Sequence, residues 1–84
     1  MRSGIVTGSV WATRRFVGLP GAALLNVRVS SGEDVVALDT LGCGIGEHVL
    51  ITEGLAAATQ FDGTPPIDAL VIGSIDPSEP PADG

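Results

Sequence analysis

A run of glycines at every second position constrains this chain more than any other feature of its sequence. Gly42, Gly44 and Gly46 lie between two segments with strand-like patterns, 35–39 and 48–53. Glycine adopts positive φ without steric cost and allows another backbone to approach closely. The run therefore predicts a tight, crowded turn between two strands, suited to packing near a symmetry axis. It does not match a dinucleotide-binding fingerprint, because that motif ends in G-x-x-G and opens a helix, whereas the next residues here are β-prone.

The composition indicates one small domain that gains stability by assembling with other copies. The chain has 84 residues, enough for a single domain. A domain of this size buries only about 60% of the surface that its unfolded chain exposes. The single cysteine excludes an intrachain disulfide, and 44% of the residues are hydrophobic. Such a chain is expected to expose a large apolar patch as a monomer, and patches of this kind mark interfaces.

The charge balance disfavours two classes of partner. Ten acidic residues stand against four arginines, with no lysine, for a formal net charge of −6. Binding to nucleic acid or to an anionic membrane depends on clustered cations, so neither partner is expected. The N-terminal segment lacks the apolar core of a signal peptide, and no apolar run approaches the roughly 20 residues of a membrane span. We therefore predict a cytoplasmic protein in which Cys43 is reduced.

The hydrophobic pattern predicts five strands and one short helix. The predicted strands are 3–13, 24–29, 35–39, 48–53 and 67–75, and the predicted helix is 55–61. The first strand contains Gly4 and Gly8, so a bend or a close backbone approach is expected at one of them. Segment 14–22 contains breakers and is predicted to be a loop.

Five short antiparallel strands in so small a chain are best closed into a barrel, because closure removes most of the exposed edge. The predicted fold class is therefore all-β: a small five-stranded OB-like β-barrel with one short helix between strands 4 and 5. The domain is predicted to span residues 1–76. Residues 77–84 are predicted to form an acidic, proline-rich C-terminal tail.

The chain offers little from which to assemble a catalytic site. Cys43 and His48 are its only cysteine and histidine, and nucleophilic catalysis also needs an orienting group and an oxyanion site. A metal site needs about four ligands, more than these two side chains supply. A ring of subunits that brings several Cys43 thiols together, as a symmetric metal or thiol ring, is an alternative. Asp39, Asp68 and Asp76 border predicted strands, where aspartate commonly caps turns, so a structural role is predicted for them.

Candidates for the subunit interface or a pore lie in two places. Trp11 and Phe16 flank the Arg14-Arg15 pair, and at least one of the two aromatics is expected to anchor an interface, because so small a barrel cannot bury every large aromatic. Arg14 and Arg15 form the only basic cluster, which is interpreted mainly as solvated, with pairing to a neighbouring subunit's acids or to an anion as alternatives. The full candidate set is Trp11, Arg14, Gly42, Cys43, Gly44, Ile45, Gly46, Glu47 and His48.

Four segments in order along the chain, 4–13, 24–27, 36–50 and 66–76, carry a resemblance to a known family. The most distinctive is 36–50, which is similar to the pattern V-A-x-D-x-x-G-A-G-x-G-E-x-V-L of the EutN/CcmL family, the small vertex proteins of bacterial microcompartment shells. Two departures stand out. Cys43 occupies a position where that family usually has alanine, and segment 54–58 lacks the arginine of the family's G-S-S-A-R.

The resemblance implies an OB-like barrel assembled as a ring, usually a homopentamer, at the corners of a polyhedral shell. It implies hexameric microcompartment shell proteins as partners, and a structural role with no catalysis and no cofactor. The alternative is an OB-type binding module for a small ligand or single-stranded nucleic acid. Such modules use basic grooves and stacking aromatics, and this acidic chain has only three aromatic residues, Trp11, Phe16 and Phe61.

Overall fold

The computed structural model describes residues 1–11 and 14–75, which form a closed barrel with strand order β1-β2-β3-β5-β4. This confirms the all-β class, the five-stranded barrel and the helix between the fourth and fifth strands. The predicted tail, 77–84, lies outside the described residues, as do Asp76 and positions 12 and 13 of the predicted first strand. The elements are β1 (Arg2–Val10), β2 (Ala23–Val29), β3 (Asp34–Asp39), β4 (His48–Glu53), α1 (Leu55–Ala58) and β5 (Ala69–Ile75).

One strand pair contradicts the expectation that all the strands are antiparallel. β3 and β5 are parallel neighbours, with Leu38 paired to Leu70, whereas the remaining neighbours in the barrel are antiparallel. The reason is geometric. Strand directions cannot alternate around a closed ring with an odd number of strands, so at least one pair must be parallel. Closure of five strands therefore already required this exception.

β1 contacts β2 closely at one glycine and shifts its pairing register next to another. A Cβ at Gly4 would lie 2.6 Å from the carbonyl oxygen of Arg28, so the close approach expected in this strand occurs at Gly4. The pairing with β2 then shifts register between Val6 and Gly8. Thr7 is the extra residue of this β-bulge, which bends a strand and increases its twist. The bend allows β1 to pair with β2 on one side and β4 on the other.

The core consists of two clusters on opposite faces of β3. Ala37 and Leu38 are consecutive, so their side chains point to opposite faces of the sheet, and both are buried. Ala37 belongs to the inner cluster, and Leu38 packs with Ala57 and Leu70 in the outer one. The helix α1 therefore covers the outside of the barrel where β3 meets β5. The inner cluster consists of Val6, Leu25, Val27, Val29, Ala37, Val49, Ile51, Ala69 and Val71.

α1 is one turn long rather than the predicted 55–61. The hydroxyl of Thr59 and the amide of Gln60 both donate to the carbonyl of Ala56, at 3.2 Å each. Side chains of this kind compete with the backbone hydrogen bonds that would continue a helix. The backbone N–H groups of Gln60 and Phe61 instead donate three residues back, as in a tighter turn. Phe61, beyond the end of the helix, still packs against the outer cluster.

The last strand starts later than its apolar sequence predicts. β5 begins at Ala69 rather than at Ile67. The backbone N–H of Ile67 donates to the carbonyl of Pro65 at 2.8 Å, so this donor is not available to a neighbouring strand. The two prolines before Ile67 thus keep the chain in a turn until it reaches β4.

Candidate assembly surfaces

The glycine loop, residues 40–47, is organised by the buried carboxylate of Asp39. Asp39 is only 3% exposed at the end of β3. Its two oxygens accept hydrogen bonds from the backbone N–H groups of Leu41, Gly42 and Cys43, at 3.0, 3.1 and 2.7 Å. These donors point inward because the chain turns immediately after the strand. The structural role predicted for Asp39 is therefore confirmed.

A second carboxylate fixes the other half of the glycine loop. Glu47 accepts the backbone N–H of Gly44 on one oxygen at 2.9 Å and the hydroxyl of Ser74 on the other at 3.0 Å. These hydrogen bonds stabilise the charged form and hold the pKa of Glu47 below its ordinary value; the bond from Gly44 has the larger effect and the bond from Ser74 the next. The loop is thereby tied to the end of β5.

Two of the three glycines are explained by backbone conformation rather than by crowding. Gly42 and Gly46 have φ of 83° and 90°, in the region that side chains rarely adopt. A Cβ at either position would have no neighbour within 4 Å in the same copy, so the crowding predicted for this turn does not occur inside one chain. The backbone N–H of Gly46 donates to the carbonyl of Val6 at 2.8 Å, and the N–H of Val6 donates to the backbone carbonyl of Glu47 at 2.9 Å, which attaches the loop to β1.

The glycine loop presents apolar side chains to solvent. Ile45 is 73% exposed at its centre and Leu41 is 55% exposed near its start. The backbone that carries them is held by the two carboxylates of Asp39 and Glu47. A fixed, exposed apolar pair is a feature of contact surfaces.

Cys43 sits in surroundings that keep its thiol protonated. It is partly buried and packs against the inner cluster. Burial, followed by the negative charges of Asp39 and Glu47, raises the pKa of the Cys43 thiol to about 11. Nucleophilic cysteines need the opposite, a lowered pKa next to a base or a cation. The local chemistry therefore disfavours a Cys43–His48 nucleophile.

His48 opens β4 on the outer face of the barrel. Its Cα partners are Ile5 on β1 and Ile75 on β5. The half-buried imidazole lines a largely apolar groove of about 410 Å³. Ile5 and Arg28 line the same groove. His48 is thus a surface residue of a strand.

The β1–β2 loop, residues 14–22, is held by its own hydrogen bonds. The guanidinium of Arg15 donates to the carbonyls of Pro20 and Ala22, at 2.7 and 3.1 Å. The N–H of Leu19 donates to the carbonyl of Phe16 at 2.9 Å, which closes a turn that we call the apolar tip, Phe16–Leu19. Trp11, just before the loop, is 91% exposed.

The structure separates the predicted candidates into two groups. Residues 42–48 form one continuous surface that attaches to β1 at Val6. Trp11 and Arg14 belong to the segment that follows the last residue of β1, Val10. Both groups are solvent-exposed, apart from the partly buried Cys43 and His48.

Two features were missed by the sequence reasoning. Val17, at the apolar tip, is fully exposed. The sequence contains a signal for this exposure, because Val17 lies between Phe16 and a segment rich in turn-forming residues, 18–21. The second feature is a groove of about 290 Å³, which we call the acidic groove, lined by Glu33, Asp34, Val35, Val36, Glu53, Asp68 and Ala69. No local sequence pattern predicts the acidic groove, because the residues that line it come from separate parts of the chain.

Within the described ranges, 1–11 and 14–75, no group of three or more His, Cys, Asp or Glu side chains is arranged to hold a metal ion. None of the helices described there has the length and apolarity needed to cross a membrane.

Comparison with known proteins places the chain in a family. Residues 1–76 match the model described as Ethanolamine utilisation protein EutN/carboxysome. The bacterial microcompartment shell vertex protein EutN of Escherichia coli (strain K12) is 36% identical over 83 residues, covering 90% of this chain and 87% of that protein.

Solved structures give the same result at the level of the fold. The pentameric shell protein MSM0273 from the RMM microcompartment is 51% identical, with a TM-score of 0.89 and 96% of each chain covered. The GrpN pentameric microcompartment shell protein from Rhodospirillum rubrum is 35% identical, with a TM-score of 0.80, covering 95% of this chain and 99% of that one. The match extends over nearly the whole barrel, and the chain described here belongs to the EutN/CcmL family.

Proposed function

We propose that this chain is a structural shell protein that forms a homopentamer and caps a vertex of a polyhedral bacterial microcompartment. The observation that carries the proposal is its 51% identity, over 96% of both chains, to a protein described as a pentameric shell protein. The relative named as a shell vertex protein in Escherichia coli supports the same role. These relatives favour the shell role over an OB-type binding module.

Geometry explains why a shell needs such a component. Hexagonal tiles alone form a flat sheet, and closing the sheet requires five-fold corners. A head-to-tail contact closes into a ring when its rotation matches the symmetry. The natural partners of the ring are therefore hexameric shell proteins, and its location is the microcompartment shell in the cytoplasm.

The exposed apolar residues support an assembled state. Trp11, Ile45 and Val17 are each more than two-thirds exposed in the single copy. Burying such side chains against a neighbour contributes roughly 1.5–3 kcal/mol for each one that becomes fully covered. We assign the interface or pore to the two predicted groups, residues 42–48 and the segment with Trp11 and Arg14.

The role proposed for this chain is not enzymatic. The relatives are shell components, and the one thiol has a raised pKa, which disfavours its use as a nucleophile. The domain organisation that goes with the proposal is a shell domain at 1–76, followed by a tail at 77–84.

Native mass spectrometry of the untagged protein at low micromolar concentration tests the proposal. The expected species has a mass of about 42 kDa, that of five copies of the 8.5 kDa chain. Mixing this ring with a hexameric shell protein should then convert flat sheets into closed particles, as seen by electron microscopy. A monomer at every concentration, or closed particles that form equally well without this chain, would contradict the vertex role.

A further inference from the structure

We propose that the β1–β2 loop of one copy, with Arg14 and the apolar tip, seats in the acidic groove of the next copy around the ring. The inference rests on the proposed function, because it names the two surfaces that meet in the homopentamer. A cyclic ring is held by a heterologous contact, in which two different surfaces of the same chain meet at every interface. The chain must therefore carry two complementary surfaces at separate places.

The β1–β2 loop is held in one conformation before any partner binds. Arg15 is anchored to the carbonyls of Pro20 and Ala22, and the turn from Phe16 to Leu19 is closed by its own hydrogen bond. This framework holds Phe16 at 70% exposure and Val17 at 100%. A loop that is already ordered loses less conformational entropy on binding, so its apolar contacts contribute more to affinity. A fixed apolar tip of this kind is suited to insertion into a partner.

The acidic groove offers an open strand edge to a partner. It runs beside β3 on the side where this strand meets β5. Leu38 and Leu70 form the register pair between these two strands in the described part of the chain, so the edge of β3 before Leu38 has no paired strand there. Val36 on this edge is 47% exposed. An open strand edge offers free backbone acceptors to a partner. The guanidinium of Arg14 carries five donors in a planar fork, which suits it to bind such acceptors.

Charge favours this groove over the largely apolar groove of about 410 Å³ that His48 lines. Arg2 is already bonded to Glu53 and Glu33, and Arg28 is bonded to Asp34. The described residues show no such ion pair for Arg14, and none for the carboxylate of Asp68 in the groove. The groove beside His48 and Ile5 is lined by Arg28, which is already paired with Asp34, and by no carboxylate of the described residues that could receive Arg14.

The loop lies at one end of the β2–β3 hairpin. The acidic groove extends from the middle of the hairpin, where Val36 and Asp68 also border a neighbouring groove with Leu19, to its other end. The loop enters the barrel at Ala23, which pairs with Asp39. The turn that carries Glu33 lies beyond the other end, where Arg28 pairs with Asp34. Five residues along a strand span about 17 Å. This separation allows one copy to offer its loop to one neighbour and its groove to the other, as a head-to-tail ring requires.

Charge reversal and its rescue test the pairing. The single variants are Arg14→Glu and Asp68→Arg, both at exposed positions. Each places like charges together at every interface, and should raise the concentration at which the ring half-dissociates by about tenfold or more. The double variant Arg14→Glu/Asp68→Arg restores opposite charges and should return this midpoint to within about threefold of wild type. The double variant must be made in one chain, because two single variants cannot alternate around five positions.

Two further variants serve as a control and as a test of the apolar tip. For every variant, native mass spectrometry over a dilution series measures the concentration at which the ring half-dissociates. Asp62→Arg makes the same charge change as Asp68→Arg at an exposed position outside the groove, and should leave the midpoint unchanged. Val17→Asp alters a fully exposed side chain that contributes nothing to the fold of one copy, and should weaken the ring about as much as Arg14→Glu.

The outcomes separate this inference from the proposed function. Single variants that assemble like wild type, or a double variant that stays as dissociated as the singles, would overturn the pairing while leaving the pentamer intact. A wild-type chain that remains monomeric throughout the dilution series would instead overturn the proposed function itself. Weakening by Asp62→Arg equal to that by Asp68→Arg would show a general charge effect and would also overturn the pairing.

Discussion

Two glycines of the same loop should respond differently to the same substitution. Gly46 has φ of 90°, so Gly46→Ala forces a side chain into the left-handed region at a cost of about 1–2 kcal/mol. A Cβ at Gly44 would meet only an oxygen of Glu47, at an ordinary 3.6 Å, and φ there is not positive. Gly44→Ala should therefore change the free energy of unfolding by less than about 0.5 kcal/mol.

Urea unfolding at one fixed protein concentration measures both glycine variants, since assembly and stability are linked by mass action. Equal destabilisation by Gly44→Ala and Gly46→Ala would contradict the conformational explanation. If Gly44→Ala weakened the ring while the dissociated chain kept its stability, the crowding predicted from the sequence would lie between copies rather than within one.

The pH dependence of stability should depend in part on one carboxylate in the glycine loop. The pKa of Glu47 is lowered in the folded chain because Gly44 and Ser74 donate hydrogen bonds to the charged form. A lowered folded pKa means that the stabilisation is complete above the ordinary value of 4.5 and is lost as pH falls through the lower folded value. Glu47→Gln should therefore flatten the loss of stability as pH falls below about 5.

The measurement for Glu47 is the urea midpoint as a function of pH for wild type and for Glu47→Gln. Wild type and variant should both keep an acid-sensitive component, because hydrogen bonds from Arg2 also lower the pKa of Glu53. A variant whose midpoint falls as steeply as that of wild type below about pH 5 would show that Glu47 does not contribute.

At the scale of the strand, β1 depends on one glycine and tolerates change at another. A Cβ at Gly4 would lie 2.6 Å from the backbone oxygen of Arg28, so Gly4→Ala must displace β2. Overpacking of this kind typically costs about 1–3 kcal/mol. Gly8→Ala is the matched control, because a Cβ there has no neighbour within 4 Å and φ is not positive. Thermal unfolding of the two variants should show a clear loss for Gly4→Ala alone; similar losses would rule out this packing argument.

The elements differ in how far local sequence determines them. β4 was predicted to the residue, because Gly54 directly follows Glu53, Gly46 lies two residues before His48, and nothing distant changes the limits of the strand. The end of α1 was missed because the side chains of Thr59 and Gln60 turn back onto the carbonyl of Ala56. Such competition between side chain and backbone depends on geometry that periodicity does not contain.

At the scale of the whole molecule, the sequence allowed the glycine loop to be chosen as a candidate surface but gave no sign of the acidic groove. The glycine loop is continuous in sequence, so its residues could be chosen together. The acidic groove joins Glu33, on the turn before β3, to Asp68, before β5, and these meet only because β3 and β5 close the barrel. The parallel pair that closes the barrel could have been derived from the odd number of strands, whereas the groove beside it required the coordinates.

Assembly should supply part of the stability of the folded chain. Trp11 is 91% exposed in one copy, so Trp11→Ala removes little packing within it. If Trp11 anchors the interface, its truncation should cost about 2 kcal/mol or more in association and lower Tm by about 5 °C or more at a fixed low micromolar concentration. Wild-type Tm should itself fall on dilution, because only the ring form is stabilised by mass action.

Leu55→Ala is the matched control for Trp11. Leu55 is 71% exposed on α1, so its truncation also removes little packing within one copy. It should leave the oligomer and Tm nearly unchanged, since α1 is outside both proposed surfaces. Differential scanning fluorimetry at several concentrations, together with native mass spectrometry, distinguishes the two variants. An unchanged ring and an unchanged Tm for Trp11→Ala would remove Trp11 from the interface and leave the apolar tip as the anchor on that side of the barrel.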